Sequence, residues 1–278
     1  AGDDLVRGVG GNDTLDGGEG TDTIGFGSES GLNVNLETGV AVTNSGTSQI
    51  SNFENVVGTG NDDIITGDDG DNVLSGLAGD DTLAGGGGND TLLGGDGIDT
   101  VDYSDVASGV QVDLVNGVAQ GDGTDSLSDI ENVVTGAGDD VVVGNSQGNI
   151  IDTGAGDDTV YGSGGIDTLI GGDGTDTLSY NSGADSTLAS GVSVDLEAGT
   201  VTGRNFVDQI SGFEEIEGSA GADTMLGSSG NDVFIGGAGN DTIDGRGGDD
   251  TLTGGSGADT FVVSPESGND VVTDFNPA

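Results

Sequence analysis

Over its 278 residues the chain carries 51 Asp and Glu against three arginines (Arg7, Arg204 and Arg246), for a formal net charge of −48, and it has no Lys, His, Cys or Trp. That balance excludes nucleic acid and anionic membranes as partners, and the missing side chains exclude disulfides, thiolate or imidazole zinc sites and thiol or imidazole catalysis. No run of 18 apolar residues exists that could span a membrane as a helix, and so few aromatics with so much charge would ordinarily leave a chain disordered.

The chain opens in mid-repeat at Ala1-Gly2-Asp3-Asp4, without Met or a signal-peptide core, and reads as a piece of something longer. From residue 8 a nine-residue frame takes over, G-G-x-G-x-D-x-U-x with U a large apolar residue, and seventeen units fit it with few departures. The cleanest run is Gly85-Gly86-Gly87-Gly88-Asn89-Asp90-Thr91-Leu92-Leu93, followed at once by Gly94-Gly95-Asp96-Gly97-Ile98-Asp99-Thr100-Val101-Asp102. In chain order the expected organisation is a partial block at 1–25, an insert at 26–57, five units at 58–102, an insert at 103–134, five units at 135–179, an insert at 180–217, five units at 218–262 and a closing segment at 263–278.

Within one unit the glycines supply a tight loop, and the Asp-Thr-Leu-x half supplies a short strand with a single inward apolar residue. Nine residues cannot bury their own apolar side chain. Consecutive units are therefore expected to stack as half-turns of a solenoid, each strand pairing in parallel with the one two units away. The predicted core is the U set, including Leu15, Leu83, Leu92, Val101, Val142, Val160, Leu169, Leu178, Phe234, Ile243 and Leu252.

The inserts resemble one another. Leu32-Asn33-Val34-Asn35-Leu36, Val110-Gln111-Val112-Asp113-Leu114 and Val192-Ser193-Val194-Asp195-Leu196 alternate apolar and polar, as half-buried strands do, and each is followed by a turn glycine, Gly39, Gly117 or Gly199. Each insert re-enters the frame with a glutamate, Glu54, Glu131 or Glu214, at the sixth position. The expectation is a β insert that continues the coil as a wider rung, with a protruding hairpin lobe as the alternative; the glutamates are read as exposed acids or as ligands at the start of each block.

Sixth-position aspartates fall at the loop-to-strand junction on each edge of the coil: Asp13, Asp22, Asp63, Asp81, Asp90, Asp99, Asp140, Asp158, Asp167, Asp176, Asp223, Asp232, Asp241, Asp250 and Asp259, with Asn72 and Asn149 in the same place. Beside them stand the carbonyls of fourth-position glycines such as Gly79, Gly88, Gly97, Gly156, Gly165, Gly230, Gly239 and Gly248. A cage of carboxylates and carbonyls suits calcium, which takes six to eight oxygens flexibly, better than magnesium with its strict octahedron. A site needs two stacked loops, so roughly nine calcium ions or more are expected, with the loop at 144–149 the weakest because Gln147 and Asn149 depart from the frame. For an isolated Gly-x-Asp the plain reading is a solvated turn; seventeen in register argue for ligation.

The frame resembles the nonapeptide of the RTX (repeats-in-toxin) proteins. That resemblance implies an all-β, right-handed parallel β-roll or β-helix and a secreted, extracellular bacterial protein exported by type I secretion as an unfolded chain and folded outside by calcium. Gly268-Asn269-Asp270-Val271-Val272-Thr273-Asp274-Phe275 resembles the family's exit from the repeats, with Pro265 breaking the frame before it and Phe275 expected to cover the last rung. One apolar side chain per nine residues cannot offset the backbone entropy of ordering nine residues, so the metal-free chain is expected to be a coil and metal binding to be folding itself. No convergent catalytic group stands out, and no enzyme activity is expected. Rows of seventh-position threonine such as Thr82 and Thr91 leave a surface-, glycan- or ice-binding region of an adhesin, or an accessory module of a secreted enzyme, as the second reading. The chain is expected to be a monomer with end-to-end contacts through uncapped rungs.

Overall fold

The computed structural model describes residues 2–8, 11–27, 31–181, 190–264 and 267–275. Among the described residues there is no α-helix; short strands alternate with loops throughout. The chain divides into two compact units, Ala1–Gly136 and Ala137–Ala278.

In the first unit successive strands of a block go to opposite sheets. Thr82–Gly86 lies between Ile64–Asp68 and Thr100–Asp102 in one sheet, and Thr91–Asp96 pairs with Val73–Ala78 in the other, every pairing parallel. The register places Leu83 against Ile65 and Val101, and Leu92 against Leu74 and Leu127. One inward residue per strand thus builds two facing apolar columns, and all of these are buried. The second unit repeats the plan. Val142, Val160, Leu178, Ile216, Phe234 and Leu252 form one buried column, and Ile151 with Leu169 and Met225 with Ile243 belong to the other. Leu15 is the exception among the predicted core residues, remaining half-exposed on the short strand Thr14–Asp16.

The inserts stay in the plane of a sheet, as expected of a continued coil, but not as single parallel rungs. Each is a three-stranded antiparallel meander: Asn33–Asn35, Val40–Thr43 and Gly46–Ser51 in the first insert, Gln111–Asp113, Val118–Gln120 and Thr124–Ser128 in the second, Ser193–Asp195, Thr200–Thr202 and Val207–Ser211 in the third. The turn glycines explain the reversal. Gly39 and Gly199 adopt φ +68° and +65° and donate their N–H to the carbonyls of Leu36 and Leu196 at 3.2 Å, and so tight a turn can only join antiparallel strands. In the first and third inserts the last strand pairs in parallel with the preceding rung, Thr14–Asp16 or Thr168–Ile170, and the first strand with the following rung, Ile64–Asp68 or Thr224–Leu226. The chain jumps ahead and folds back, leaving the frame unbroken on both sides.

The closing segment adds one more parallel rung, Val271–Val272 beside Thr251–Ser256. Phe275 does not cover it: the ring is 66% exposed and meets Phe261 edge-on at 6.5 Å. Pro265 lies outside the described residues.

Candidate metal sites

Every loop ends where the backbone of the sixth residue enters its strand, and there the two carboxylate oxygens of an aspartate take different roles. Oδ1 stitches rungs. It accepts the backbone N–H of the sixth residue one rung earlier on the same edge: Asp63 N–H to Asp81 Oδ1 at 2.7 Å, Asp81 N–H to Asp99 at 2.8 Å and Asn72 N–H to Asp90 at 2.8 Å. In the second unit Asp158 receives Asp140 N–H at 2.7 Å, Asp176 receives Asp158 at 2.9 Å, and Asp241 and Asp250 receive Asp223 and Asp232 at 2.9 Å. A parallel turn without this acceptor would leave a buried N–H unpaired.

Oδ2 is the chemically open atom. In Asp22, Asp81, Asp90, Asp99, Asp158, Asp176, Asp241 and Asp250 it is buried and has no hydrogen-bond partner. It points over the first residue of its own loop: a Cβ added at Gly76, Gly85 or Gly245 would run into Oδ2 of Asp81, Asp90 or Asp250. At Gly236 the same space is shared by Asp241 Oδ2 and by the carbonyl of Gly254, one rung further on. At these four glycines the carboxylate occupies the room a side chain would need. At Gly97 the need is stacking, since a Cβ would strike the Gly79 carbonyl of the loop beneath. The fourth-position glycines are mostly left-handed, with Gly79, Gly88, Gly156, Gly165, Gly239 and Gly248 between φ +107° and +146°, whereas Gly97 and Gly230 are not.

Burial dominates the electrostatics. It pushes the carboxyls of Asp81, Asp90 and Asp176 up to about 6, and those of Asp99, Asp158, Asp241 and Asp250 upward as well. A buried anionic oxygen without a donor is costly, and a cation beside it removes the cost. Among the described residues no three carboxylates gather closely enough to hold a metal by themselves, so backbone carbonyls have to complete any coordination shell. One carboxylate oxygen with several carbonyls is a hard, all-oxygen set of the kind calcium accepts.

The family model of the RTX calcium-binding nonapeptide repeat (4 copies) matches residues 1–30, 53–83, 66–101, 125–160, 134–169, 152–186, 209–243 and 226–261, which together make up more than half of the chain. The chain belongs to the RTX calcium-binding repeat family. No curated protein matches it. Membership makes it a calcium-binding module of the RTX type, built as two-sheet parallel-dominated coils of tandem nonapeptides.

Within the RTX frame the sixth-position residues are not equivalent. Asp63, Asp167, Asp223 and Asp232 have Oδ2 engaged inside their own loops. Asn72 and Asn149 offer no free oxygen either: each Oδ1 accepts a backbone N–H, from Asp68 at 2.8 Å and Asn145 at 2.9 Å. Asp259 accepts Asp241 N–H at 3.1 Å and, like Asp13, is only half-buried.

The glutamates are not exposed acids: Glu131 is buried, and Glu54 and Glu214 are half-buried. Oε2 of Glu54, Glu131 and Glu214 accepts the N–H of Asp22 at 2.6 Å, Asp99 at 2.9 Å and Asp176 at 3.0 Å, so each replaces the stitching oxygen of an aspartate. Two residues before them Asn52, Asp129 and Gly212 are left-handed, at φ +55°, +56° and +72°, and their carbonyls lie over Gly17, Gly94 and Gly171, beside Oδ2 of Asp22, Asp99 and Asp176. The end of each insert thus imitates a glycine loop for the open aspartate before it.

Sequence reasoning passed over two groups. Asp125 and Asp208 carry the stitch inside the second and third inserts, accepting Asp90 and Asp167 N–H at 2.9 Å. A second ladder runs the opposite way through the fifth position, where Asp62 and Asp71 Oδ1 accept the N–H of Asp80 at 2.9 Å and Asn89 at 2.8 Å one rung later. The signal was present as recurrent Asn-Asp and Asp-Asp pairs such as Asp80-Asp81 and Asn89-Asp90.

Proposed function

We propose that the chain is a calcium-triggered folding module of a secreted RTX-type protein, a coil without calcium that winds into its rolls where calcium is abundant and then serves as a rigid spacer or stabilising part. The observation that carries this reading is the repeated buried Oδ2 with no partner, placed in register along both edges in each unit. The open aspartates are the proposed ligands, with loop carbonyls completing each shell, and each bare Oδ2 supports about one ion.

The direction of export follows from affinity. Extracellular calcium modules bind at roughly 10⁻⁴ to 10⁻³ M, which leaves such sites empty in a calcium-poor cytosol. RTX repeat proteins are typically secreted, and an unfolded acidic chain that folds on reaching calcium is suited to passage through a type I channel. The module carries no catalysis of its own in this reading. The ice-binding alternative gains little, since among the described residues threonines follow one another across a sheet for at most three strands, as in Thr224, Thr242 and Thr260.

Circular dichroism on a chelated sample tests the reading. Calcium in the millimolar range is expected to bring up a β signal cooperatively, with magnesium at the same concentration ineffective. A β signal of full size in chelator, or an equal response to magnesium, refutes it.

A further inference from the structure

Bare and engaged aspartates differ in one other respect, the second residue of the loop. In the open rungs that residue is left-handed: Gly86 at φ +86°, Gly95 at +117°, Gly172 at +108° and Gly237 at +96°, and even the non-glycines Leu77 at +80° and Arg246 at +61°. In this turn no N–H of the loop reaches Oδ2, which is left unpartnered in Asp90, Asp99, Asp176, Asp241, Asp81 and Asp250.

Where the second residue is Ser or Thr the loop closes on itself. Thr59 N–H donates to Asp63 Oδ2 at 2.6 Å and its hydroxyl to Oδ1 at 3.0 Å. Ser219 does the same to Asp223, both at 2.8 Å, and its Oγ also accepts Gly221 N–H at 3.0 Å. Ser228 N–H donates to Asp232 Oδ2 at 2.7 Å, and Ser163 Oγ to Asp167 Oδ2 at 3.3 Å. None of these four second residues is left-handed. Short hydroxyl side chains favour such local closures over the extended alternatives.

We propose that the second residue of each nonapeptide decides whether the rung takes a calcium ion: a left-handed residue leaves the aspartate bare and metal-dependent, and Ser or Thr supplies the donors a metal would otherwise replace and makes the rung metal-independent. The proposal rests on the calcium reading above and refines it into a rule for individual loops. Three closed aspartates stand where a block meets an insert. Asp63 and Asp223 accept the N–H of Leu32 at 2.7 Å and Val192 at 2.6 Å, and Asp167 donates its N–H to Asp208. The first and third inserts thus border closed rungs whose carboxylates are satisfied without an ion, while the bare Asp22, Asp99 and Asp176 directly precede the three inserts.

The test is calcium stoichiometry at saturation, measured by equilibrium dialysis of the full chain with calcium alone. Thr59→Gly and Ser219→Gly are each expected to bind one ion more than the wild type. Ser219→Thr is expected to bind the wild-type number. As a second measurement, Asp241→Asn, which keeps the stitching Oδ1, is expected to lose one ion, and Asp223→Asn none. Wild-type stoichiometry in both glycine variants, or loss of an ion in Asp223→Asn, overturns the rule while calcium binding stands. A wild-type chain that binds no calcium overturns the calcium reading as well.

Discussion

Tyr180 is buried in the third insert and donates its hydroxyl to Asp208 Oδ2 at 2.7 Å, while Asp208 Oδ1 takes the Asp167 N–H; Tyr103 and Asp125 make the same pair in the second insert. The first insert has Phe26 and Ser48 in these places, both buried, and Ser48 Oγ accepts Asp13 N–H at 3.2 Å. The tyrosine hydroxyl and the carboxylate are present together or absent together, because a buried carboxylate oxygen with no cation beside it needs a donor. Tyr180→Phe is therefore expected to cost about 1–3 kcal/mol in the calcium-loaded chain, read from denaturant midpoints, and the double variant Tyr180→Phe with Asp208→Ser to recover most of it. A double variant no more stable than the single one would show that the pairing is incidental. Space is the other constraint at this scale. Gly85→Ala places a methyl against Asp90 Oδ2, whereas at Gly87 the nearest atom to an added Cβ is Asp69 Cα at 3.5 Å, an ordinary contact. Gly85→Ala is expected to raise the calcium concentration needed for folding and Gly87→Ala to leave it nearly unchanged, as followed by calcium titration of the β signal.

At the scale of elements, the nonapeptide strands were legible because period, loop glycine and single apolar residue all point to one structure. The insert strands were legible too, with Val34, Val112 and Val194 buried as their alternation required. Their direction was not, because a period of two is the same in parallel and antiparallel sheets; only the turn after Leu36, Leu114 or Leu196 decides it. The place of the sixth-position aspartates at the loop-to-strand junction was readable from spacing alone, but the split between bare and closed aspartates depends on hydrogen bonds at the second residue that no spacing expresses. Arg246 is a similar case. It sits left-handed at the second place of its loop and reaches Asp195 through two bonds of 2.9 and 3.1 Å, Glu197 at 3.1 Å and the Gly227 carbonyl at 3.0 Å, tying the third insert to two later loops. Both ion pairs among the described residues are its own. The contact is partly exposed and so worth about 0.2–1 kcal/mol as a charge pair. Arg246→Leu is expected to lower the unfolding midpoint slightly, with a smaller effect at high salt; a loss that ignores salt would mean that the side chain acts by packing.

For the whole molecule the governing quantity is a charge of −48 held on rows of carboxylates that burial drives toward their neutral forms. Asp81, Asp90 and Asp176 rise from the ordinary 3.8 to about 6, Asp208 to about 6 and Asp167 to about 7, in each case chiefly through desolvation. A group whose folded value lies above its unfolded value binds more protons folded than unfolded between the two, so the slope of unfolding free energy against pH is negative there. The metal-free fold is accordingly most favoured below about pH 4 and loses that support as pH rises through about 6 to 7. Calcium inverts the sign, because it binds the deprotonated carboxylate and competes with the proton. Two titrations of the β signal should therefore run in opposite directions: in chelator, signal gained on acidification from about pH 8 to about pH 5; at limiting calcium, signal lost over the same interval. Because the calculated pI is 4.1, light scattering has to accompany the acid arm to separate folding from precipitation. Parallel curves with and without calcium would mean that protons and metal do not share the same oxygens, and the bare Oδ2 atoms would then need another occupant.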